Sequence, residues 1–184
     1  VIVGCHLPEH NSVKKLEQLI SYAVKYDAQL YIFNVRSSEE VATIRKAKQK
    51  EVLIYAETTP QYLFLLDSKK DLPGPVKAIG DQHSLWEGIH DETIDAIGVE
   101  ASQPYSMENL FPLLLNACKE NKLSYGKLIH LTSLNLQQIF RLPQSEDRVL
   151  VDLSLEKEIE IRGQNKAIQG WPVYIIANGE VIRV

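Results

Sequence analysis

Residues 31–65, "YIFNVRSSEEVATIRKAKQKEVLIYAETTPQYLFL", contain two apolar segments joined by a segment with helical spacing. "AQLYIFNV" (28–35) and "EVLIYAE" (51–57) have the apolar runs typical of strands that are covered on both faces. Between them, Ser37 and Glu40 form a capping-box pattern, and the apolar residues that follow lie on one helical face. Strand, helix and strand in this order predict parallel pairing through a right-handed crossover.

The same alternation of strands and helices continues on both sides of this segment. "VIVGC" (1–5) is an apolar strand, and Asn11 or Ser12 can cap the helix that follows it. Downstream, "DQHSLWEGIHD" (81–91) is predicted to be helical and "TIDAIGV" (93–99) to be one more strand. Because no methionine precedes the first strand, we expect the natural chain to begin upstream of it.

The second half of the chain has a different character, since helices come first and strands follow. A long helix is predicted to carry Pro112 in its first turn, where proline is tolerated, and Ser124 and Thr132 are each predicted to start a shorter helix. Beyond Leu142 the apolar residues are typical of strands, and Asn178-Gly179 is a strong signal for a type I′ hairpin turn. The tail is therefore predicted to be a small antiparallel sheet.

Composition and charge place the chain among ordinary globular proteins. Of its 184 residues, 45% are hydrophobic and 24% are charged, which fits one domain with a substantial core. A net charge of −4 and a pI near 5.8 argue against nucleic acid and anionic membranes as partners. No apolar stretch approaches the ~20 residues of a membrane span, and nothing resembles a signal peptide. Cys5 and Cys118 lack metal-ligand spacing, so they are predicted to be buried free thiols in a reducing cytoplasm.

Spacing alone offers few candidate site residues. There is no glycine-rich phosphate loop, no GxSxG elbow and no CxxC pair. His6 and His10 could ligate a metal, but "CHLPEH" contains proline and cannot be one helix face, so a loop pair without a metal role is favoured. Glu57 and Glu100 each end a buried strand, where a carboxylate costs free energy unless it is paired or functional. Structural hydrogen bonding and catalysis stay equally open for both.

Residues 31–65 also resemble the middle of the cyclic amidohydrolases, the family of dihydroorotase, dihydropyrimidinase or hydantoinase, and allantoinase. That part of the family has the form I-V-H-V-S-S, a helix, and then V-x-x-E-T-C-P-Q-Y-L. "GPVKAIGDQHSLWEGIHDETIDAIG" (74–98) is similar to the family's P-P-L-R, D-Q, L-W-E-G-I and T-I-D-x-I-G series. "ENLFPLLLNACKENKLSYGKLIHLTSLNLQQIFRL" (108–142) resembles its closing helices, and "GWPVYIIANGEVI" (170–182) resembles its last strands. The resemblance runs in one order from about residue 9 to the C-terminus.

The resemblance implies an α/β fold in which residues 1–142 form the C-terminal part of a TIM-type (β/α)8 barrel and residues 143–184 a small antiparallel β-sandwich. In active relatives, zinc is held at the C-terminal ends of the barrel strands by an H-x-H, a carboxylated lysine, histidines and an aspartate. The zinc-bound water attacks a ring amide carbonyl, and the aspartate carries the proton to the leaving nitrogen. The H-x-H and the lysine strand are not in this chain, and homo-oligomers are common in the family.

Several positions of this chain depart from the family's metal-site pattern. Asn34 stands where the sixth-strand histidine is expected, and a carboxamide is a poorer zinc ligand than an imidazole. Glu100 in "VEASQ" stands where the catalytic and metal-binding aspartate of S-D-H-A-P is expected, so its carboxylate is displaced by one methylene. Lys77 falls on the arginine of P-P-L-R and Tyr62 on the tyrosine of P-Q-Y-L. Both are candidates for substrate binding, although packing is favoured for Tyr62.

Three hypotheses for function follow from the resemblance. The first is a non-catalytic homologue that keeps the scaffold, has lost the metal site and acts as a structural partner of an active enzyme. The second is an active zinc-dependent hydrolase that opens dihydroorotate, a dihydropyrimidine, hydantoin or allantoin, with Glu100 and His6 or His10 standing in for lost ligands. The third is a module that binds a small cyclic ligand without turnover. The first is favoured, in a cytoplasmic homo-oligomer or a complex with an active partner, and it needs no cofactor.

Overall fold

The computed structural model describes the backbone of residues 1–8, 10–64, 79–99, 107–161 and 164–184. The chain divides into two compact units, residues 1–100 and residues 101–184, which we name unit 1 and unit 2. Lys77 and Glu100 lie outside the described residues. The boundary between residues 142 and 143 that the sequence indicates stays a prediction.

Among the described residues, unit 1 contains a four-stranded parallel sheet with the strands in chain order. The strands are β1 (Ile2–His6), β2 (Gln29–Phe33), β3 (Ile54–Thr58) and β4 (Ala96–Ile97). β1 pairs with β2 along its whole length, whereas β4 pairs with β3 only through Ala96 and Ile97. The parallel order confirms the alternation of strands and helices, although β4 is shorter than the strand predicted at 93–99.

Helices connect these strands and lie against the sheet. They are α1 (Ser12–Tyr26), α2 (Ser38–Gln49), α3 (Pro60–Phe64) and α4 (Ile79–His90). α2 lies between α1 and α4 and contacts β3. The buried aliphatic residues of the helices and strands include Leu16, Leu30, Ile32, Ile44, Ala56 and Leu85. Burying each large aliphatic side chain contributes about 1.5–3 kcal/mol, which makes this core the main source of stability in unit 1.

The helix starts that the sequence indicates have different outcomes. Ser37 Oγ accepts a hydrogen bond from the Glu40 amide at 3.2 Å, and the Glu40 carboxylate accepts one from the Ser37 amide at 3.3 Å. These two hydrogen bonds confirm the capping box of α2. α1 instead follows Asn11, which has left-handed backbone angles (φ 59°) and makes no side-chain capping bond. Asn11 therefore occupies the N-cap position that the sequence indicates, but its side chain does not cap α1.

An ion pair ties α2 to the segment that leads into β4. Lys48 Nζ donates to both carboxylate oxygens of Asp95, at 2.8 and 2.7 Å, and to the Glu92 carbonyl at 2.9 Å. Asp95 also accepts a hydrogen bond from the Ala56 amide at 2.8 Å. The two side chains are only 24% and 17% exposed. Burial raises the pKa of Asp95 even though the Lys48 ammonium and the hydrogen bonds act in the opposite direction.

The helices of unit 2 agree with the prediction at Ser124 and differ from it at Thr132 and Pro112. They are α5 (Met107–Lys119), α6 (Tyr125–Ile129), a π-helical turn (His130–Leu134) and α7 (Asn135–Phe140). Ser124 caps α6 as predicted, because its hydroxyl accepts a hydrogen bond from the Lys127 amide at 3.1 Å. Thr132 does not start a helix; it lies inside the π-helical turn, where its hydroxyl donates to the Leu128 carbonyl at 2.8 Å. Pro112 lies in the second turn of α5, because that helix begins at Met107.

The described strands of unit 2 form an antiparallel sheet in the order β5-β6-β7. They are β5 (Arg148–Ile161), β6 (Gln164–Ala177) and β7 (Glu180–Arg183). β5 is one continuous strand with two register shifts against β6. At the shift between Asp152 and Glu156, Asp152 Oδ1 accepts hydrogen bonds from the Ser154 amide and hydroxyl at 2.8 and 2.7 Å. Asn178 and Gly179 both have positive φ, 51° and 79°, which confirms the hairpin turn between β6 and β7.

α5 packs directly on β6, and a glycine makes this contact possible. Gly170 has φ 93°, and a Cβ atom built on it would lie 2.9 Å from Leu115 Cβ on α5. Ile168 is fully buried, and its carbonyl accepts a hydrogen bond from the Trp171 indole at 2.8 Å. The helix and the sheet therefore meet too closely at this point for any residue larger than glycine.

Both cysteines are free thiols, as the sequence predicts. Cys118 is buried and Cys5 is half-buried. Burial raises the pKa of Cys118 to about 11, so its thiol stays protonated at neutral pH. In the part of the chain that the structure describes, every helix is too short or too polar to cross a membrane.

Candidate functional site

Two hydrogen bonds join the carboxyl ends of β2 and β3 and fix the backbone around Asn34. The Val35 amide donates to the Glu57 carbonyl at 2.8 Å, and the Thr58 hydroxyl donates to the Val35 carbonyl at 2.8 Å. Asn34 has φ 58°, in the left-handed region that asparagine tolerates better than most side chains. Asn34 is thus the turn residue that ends β2, a backbone role that the sequence analysis missed.

One face of the parallel sheet carries aromatic side chains and a carboxylate near the carboxyl ends of the strands. Parallel register and strand alternation place these residues on a common side. We name it the aromatic face and define it by six residues, Gly4, His6, Tyr31, Phe33, Glu57 and Gly98.

The two glycines of the aromatic face make room for its large side chains. A Cβ atom built on Gly4 would lie 2.8 Å from Phe33 Cε2, and one built on Gly98 would lie 2.4 Å from the carboxyl carbon of Glu57. Phe33 therefore lies over β1, where its ring stacks on His6 with centroids 4.6 Å apart and an interplanar angle of 14°. Glu57 lies over Gly98, next to the end of β4.

A tyrosine holds the carboxylate of the aromatic face in place. Tyr31 Oη donates a hydrogen bond of 2.7 Å to Glu57 Oε2, and the Tyr31 ring meets Phe33 edge-on at 4.9 Å. Burial raises the pKa of Glu57, although the Tyr31 hydrogen bond and the nearby His6 act in the opposite direction. Burial and the Glu57 carboxylate raise the pKa of Tyr31 far above its usual value. The hydroxyl therefore remains a donor at any physiological pH.

A buried arginine ties together the loops that follow β1 and β2. Arg36 Nη2 donates to the Pro8 carbonyl at 2.7 Å, and the Arg36 amide donates to Glu40 Oε2 at 2.9 Å. Arg36 is only 8% exposed and Glu40 only 1%. In the sequence, the only signal for this contact is the position of Arg36 directly after a predicted strand.

The structure brings only part of the predicted site together. His6 and Asn34 lie at the ends of adjacent strands, whereas His10 is exposed just before α1 and Tyr62 is half-buried in α3. Lys77 and Glu100 lie outside the described residues, so their proposed roles stay predictions. Glu57 is a site candidate from the sequence, whereas Tyr31 is not, and the one signal for Tyr31 is its alternation with Phe33 on one side of β2.

The described residues around Asn34 do not fit a hydrolytic zinc centre. Zinc in such centres is held by three protein ligands from imidazole, thiolate or carboxylate groups. Within the described ranges, no three His, Cys, Asp or Glu side chains are grouped so that they could hold a metal ion. The Asn34 carboxamide is a weak donor, His6 stacks on Phe33, and Glu57 accepts a hydrogen bond from Tyr31. Together these residues form a polar aromatic surface.

The chain is similar in sequence to dihydroorotases. It is 28% identical over 196 residues to the dihydroorotase of Geobacillus sp. (strain WCH70), an alignment that includes 83% of this chain and 45% of that enzyme. The chain thus spans about half the length of the curated relatives it matches. No family model matches it.

Solved structures share the fold. The dihydropyrimidinase from Brevibacillus agri NCHU1002 superposes with a TM-score of 0.83 at 18% identity, over 96% of this chain and 49% of that one. An inactive dihydroorotase-like domain of the Chaetomium thermophilum CAD-like multifunctional protein superposes with a TM-score of 0.76 at 19% identity, over 95% of this chain and 58% of that one. These similarities confirm the predicted fold class, part of a (β/α) barrel followed by a small antiparallel sheet.

Proposed function

This chain is a partial homologue of the cyclic amidohydrolases, and on that premise we propose that it is a non-catalytic member that serves as a structural partner of an active enzyme. In this proposal the scaffold is kept, the metal site is lost and no cofactor is required. The observation that carries the proposal is Asn34, an amide in a left-handed turn at the position where the family resemblance places a zinc-binding histidine.

The chemistry of Asn34 supports the loss of metal. A carboxamide oxygen is a weaker zinc donor than an imidazole nitrogen, and the amide nitrogen has no free lone pair to offer. Glu100, at the position of the family aspartate, retains a carboxylate but with an additional methylene. Since misplacement by about 1 Å can cost about 100-fold in rate, this exchange also weakens the case for turnover.

The packing of the aromatic face supports the same proposal. Phe33 and His6 stack on each other, and Glu57 is hydrogen-bonded to Tyr31. In this arrangement the His6 ring is stacked on Phe33, and one Glu57 oxygen is occupied by the Tyr31 hydroxyl. A catalytic zinc centre instead needs side chains that converge on one point and leave a coordination position open for water.

The partner is proposed by analogy. One structural neighbour is an inactive dihydroorotase-like domain of a multifunctional protein, and by analogy with that inactive domain we propose a structural role for this chain. We propose a complex with an active enzyme or a homo-oligomer, and the cytoplasm stays the expected location. The alternative is an active zinc-dependent hydrolase of a cyclic amide, which the similarity to dihydroorotases favours.

A ring-opening assay distinguishes the two functions. The protein, in the form in which the cell makes it, is incubated with dihydroorotate, dihydrouracil or hydantoin, either with added zinc or after EDTA treatment. If the metal site is lost, as we propose, no ring opening is expected above the protein-free control under either condition. Hydrolysis that EDTA abolishes and zinc restores would establish the active enzyme instead.

A further inference from the structure

The Glu57 carboxylate has unused hydrogen-bonding capacity on the aromatic face. A carboxylate can accept about four hydrogen bonds, and Glu57 accepts one, from Tyr31 to Oε2 at 2.7 Å. Among the described residues, no other donor is found for this carboxylate, and none of their ion pairs includes it. Glu57 is half-buried, so desolvation makes its charge costly, and Tyr31 and the nearby His6 offset that cost only in part.

An aromatic surface lies beside this carboxylate. Phe33 is half-buried and His6 is exposed, and their rings stack face to face, so the exposed His6 ring, backed by Phe33, offers the accessible aromatic surface. Tyr31 connects that surface to Glu57, because its ring contacts Phe33 and its hydroxyl bonds the carboxylate. A carboxylate next to accessible aromatic rings is the combination that recognises organic cations, since both the charge and the ring quadrupole attract them.

From these contacts we infer that the aromatic face binds a small planar organic cation, an amidinium, a guanidinium or a protonated aromatic amine. The cation donates N–H bonds to Glu57 and stacks on the exposed ring of His6, which Phe33 supports from the other side. A neutral ligand of the same shape would leave the carboxylate charge uncompensated, so charge decides the specificity. The inference rests on the proposed function, because it requires that no resident metal uses Glu57.

Benzamidine and benzamide provide a matched pair of probes. Both are planar and of nearly equal size, but only benzamidine carries a positive charge at neutral pH. Binding is measured by NMR titration of the complete protein at low ionic strength. We expect benzamidine to shift the resonances of the aromatic face in a saturable manner. Benzamide should bind at least about tenfold more weakly, because it lacks the charge.

Two variants and one control locate the site. Glu57→Gln keeps the side-chain shape but removes the charge, and we expect it to weaken benzamidine binding at least about tenfold. Gly98→Ala should also weaken it, because a methyl group there would push the Glu57 carboxylate out of its place. Glu17→Gln on α1 changes an equally charged but exposed residue away from the aromatic face and should bind benzamidine like the wild type. Far-UV circular dichroism checks that each variant is folded.

Several results would overturn the inference. Equal affinity for benzamidine and benzamide, or equal affinity of the wild type and a folded Glu57→Gln variant, would show that the carboxylate recognises no cation. An absence of saturable benzamidine binding would do the same. If one equivalent of zinc per chain displaced benzamidine, Glu57 would be a metal ligand. Both this inference and the proposed function would then fail. Failure of benzamidine binding with no bound zinc would leave the proposed function standing.

Discussion

Replacing Gly170 with alanine should lower the free energy of unfolding by about 2–4 kcal/mol. Two effects add at this position. The backbone has φ 93°, where a side chain is strained, and the new Cβ would lie 2.9 Å from Leu115 Cβ. The contacted atom is next to the helix backbone of α5, so it cannot rotate away. Relief would require α5 to move away from β6, which would loosen the packing of the buried Ile168.

Gly179→Ala is the matched control for this substitution. Gly179 also has a positive φ, 79°, but no atom lies within 4 Å of a Cβ built there. The Gly179→Ala variant should therefore lose only the free energy that backbone strain costs, about 1–2 kcal/mol of its free energy of unfolding. Urea denaturation of the three proteins gives the comparison, provided that the m-values agree. Equal losses for the two variants would show that α5 yields to the added methyl group at little cost.

Replacing Lys48 with methionine should destabilise unit 1 by about 2 kcal/mol at neutral pH, less than the loss for a fully buried pair because both side chains are partly exposed. The substitution keeps the aliphatic stem but removes the ammonium that bonds both oxygens of Asp95 at 2.7 and 2.8 Å. The Asp95 carboxylate would then remain 17% exposed without this cation. Lys46→Met on the exposed side of α2 is the control and should change stability little.

The loss at Lys48 should depend on pH in a defined direction. Burial already holds the pKa of Asp95 above its usual value, and removal of the ammonium should raise it further. A carboxyl group whose pKa is higher in the folded state than in the unfolded state binds its proton more tightly when folded. The variant should therefore recover stability relative to the wild type as the pH falls through that raised pKa. A difference that stays constant between neutral and acidic pH would contradict this account of Asp95.

The parts of the fold that local patterns encode could be predicted from the sequence. The capping box of Ser37 and Glu40 and the hairpin at Asn178-Gly179 each depend on a few adjacent residues, and both are confirmed. Thr132 was misassigned because a π-helical turn inserts a residue without a local signal, so the helical chain continues through a residue that resembles a cap. Long-range packing, such as Gly170 against Leu115, has no counterpart in local spacing.

The candidate site could be predicted only in part, for a similar reason. Asn34 was identified from the resemblance, but its left-handed backbone depends on hydrogen bonds from neighbouring segments. The bond between Tyr31 and Glu57 joins residues 26 positions apart and needs Gly98, just after β4, to make room. Such a contact follows from strand register, which one sequence does not specify. Tyr31 is therefore identified as a site residue by the structure and not by the sequence.

The zinc content of the protein tests the central claim most directly. The protein, in the form in which the cell makes it, is equilibrated with zinc, freed of loosely bound metal by dialysis and measured by elemental analysis against protein concentration. The proposed loss of the metal site predicts far less than one zinc per chain. One or more tightly held zinc ions per chain, lost together when Glu57 and Asn34 are substituted, would contradict it.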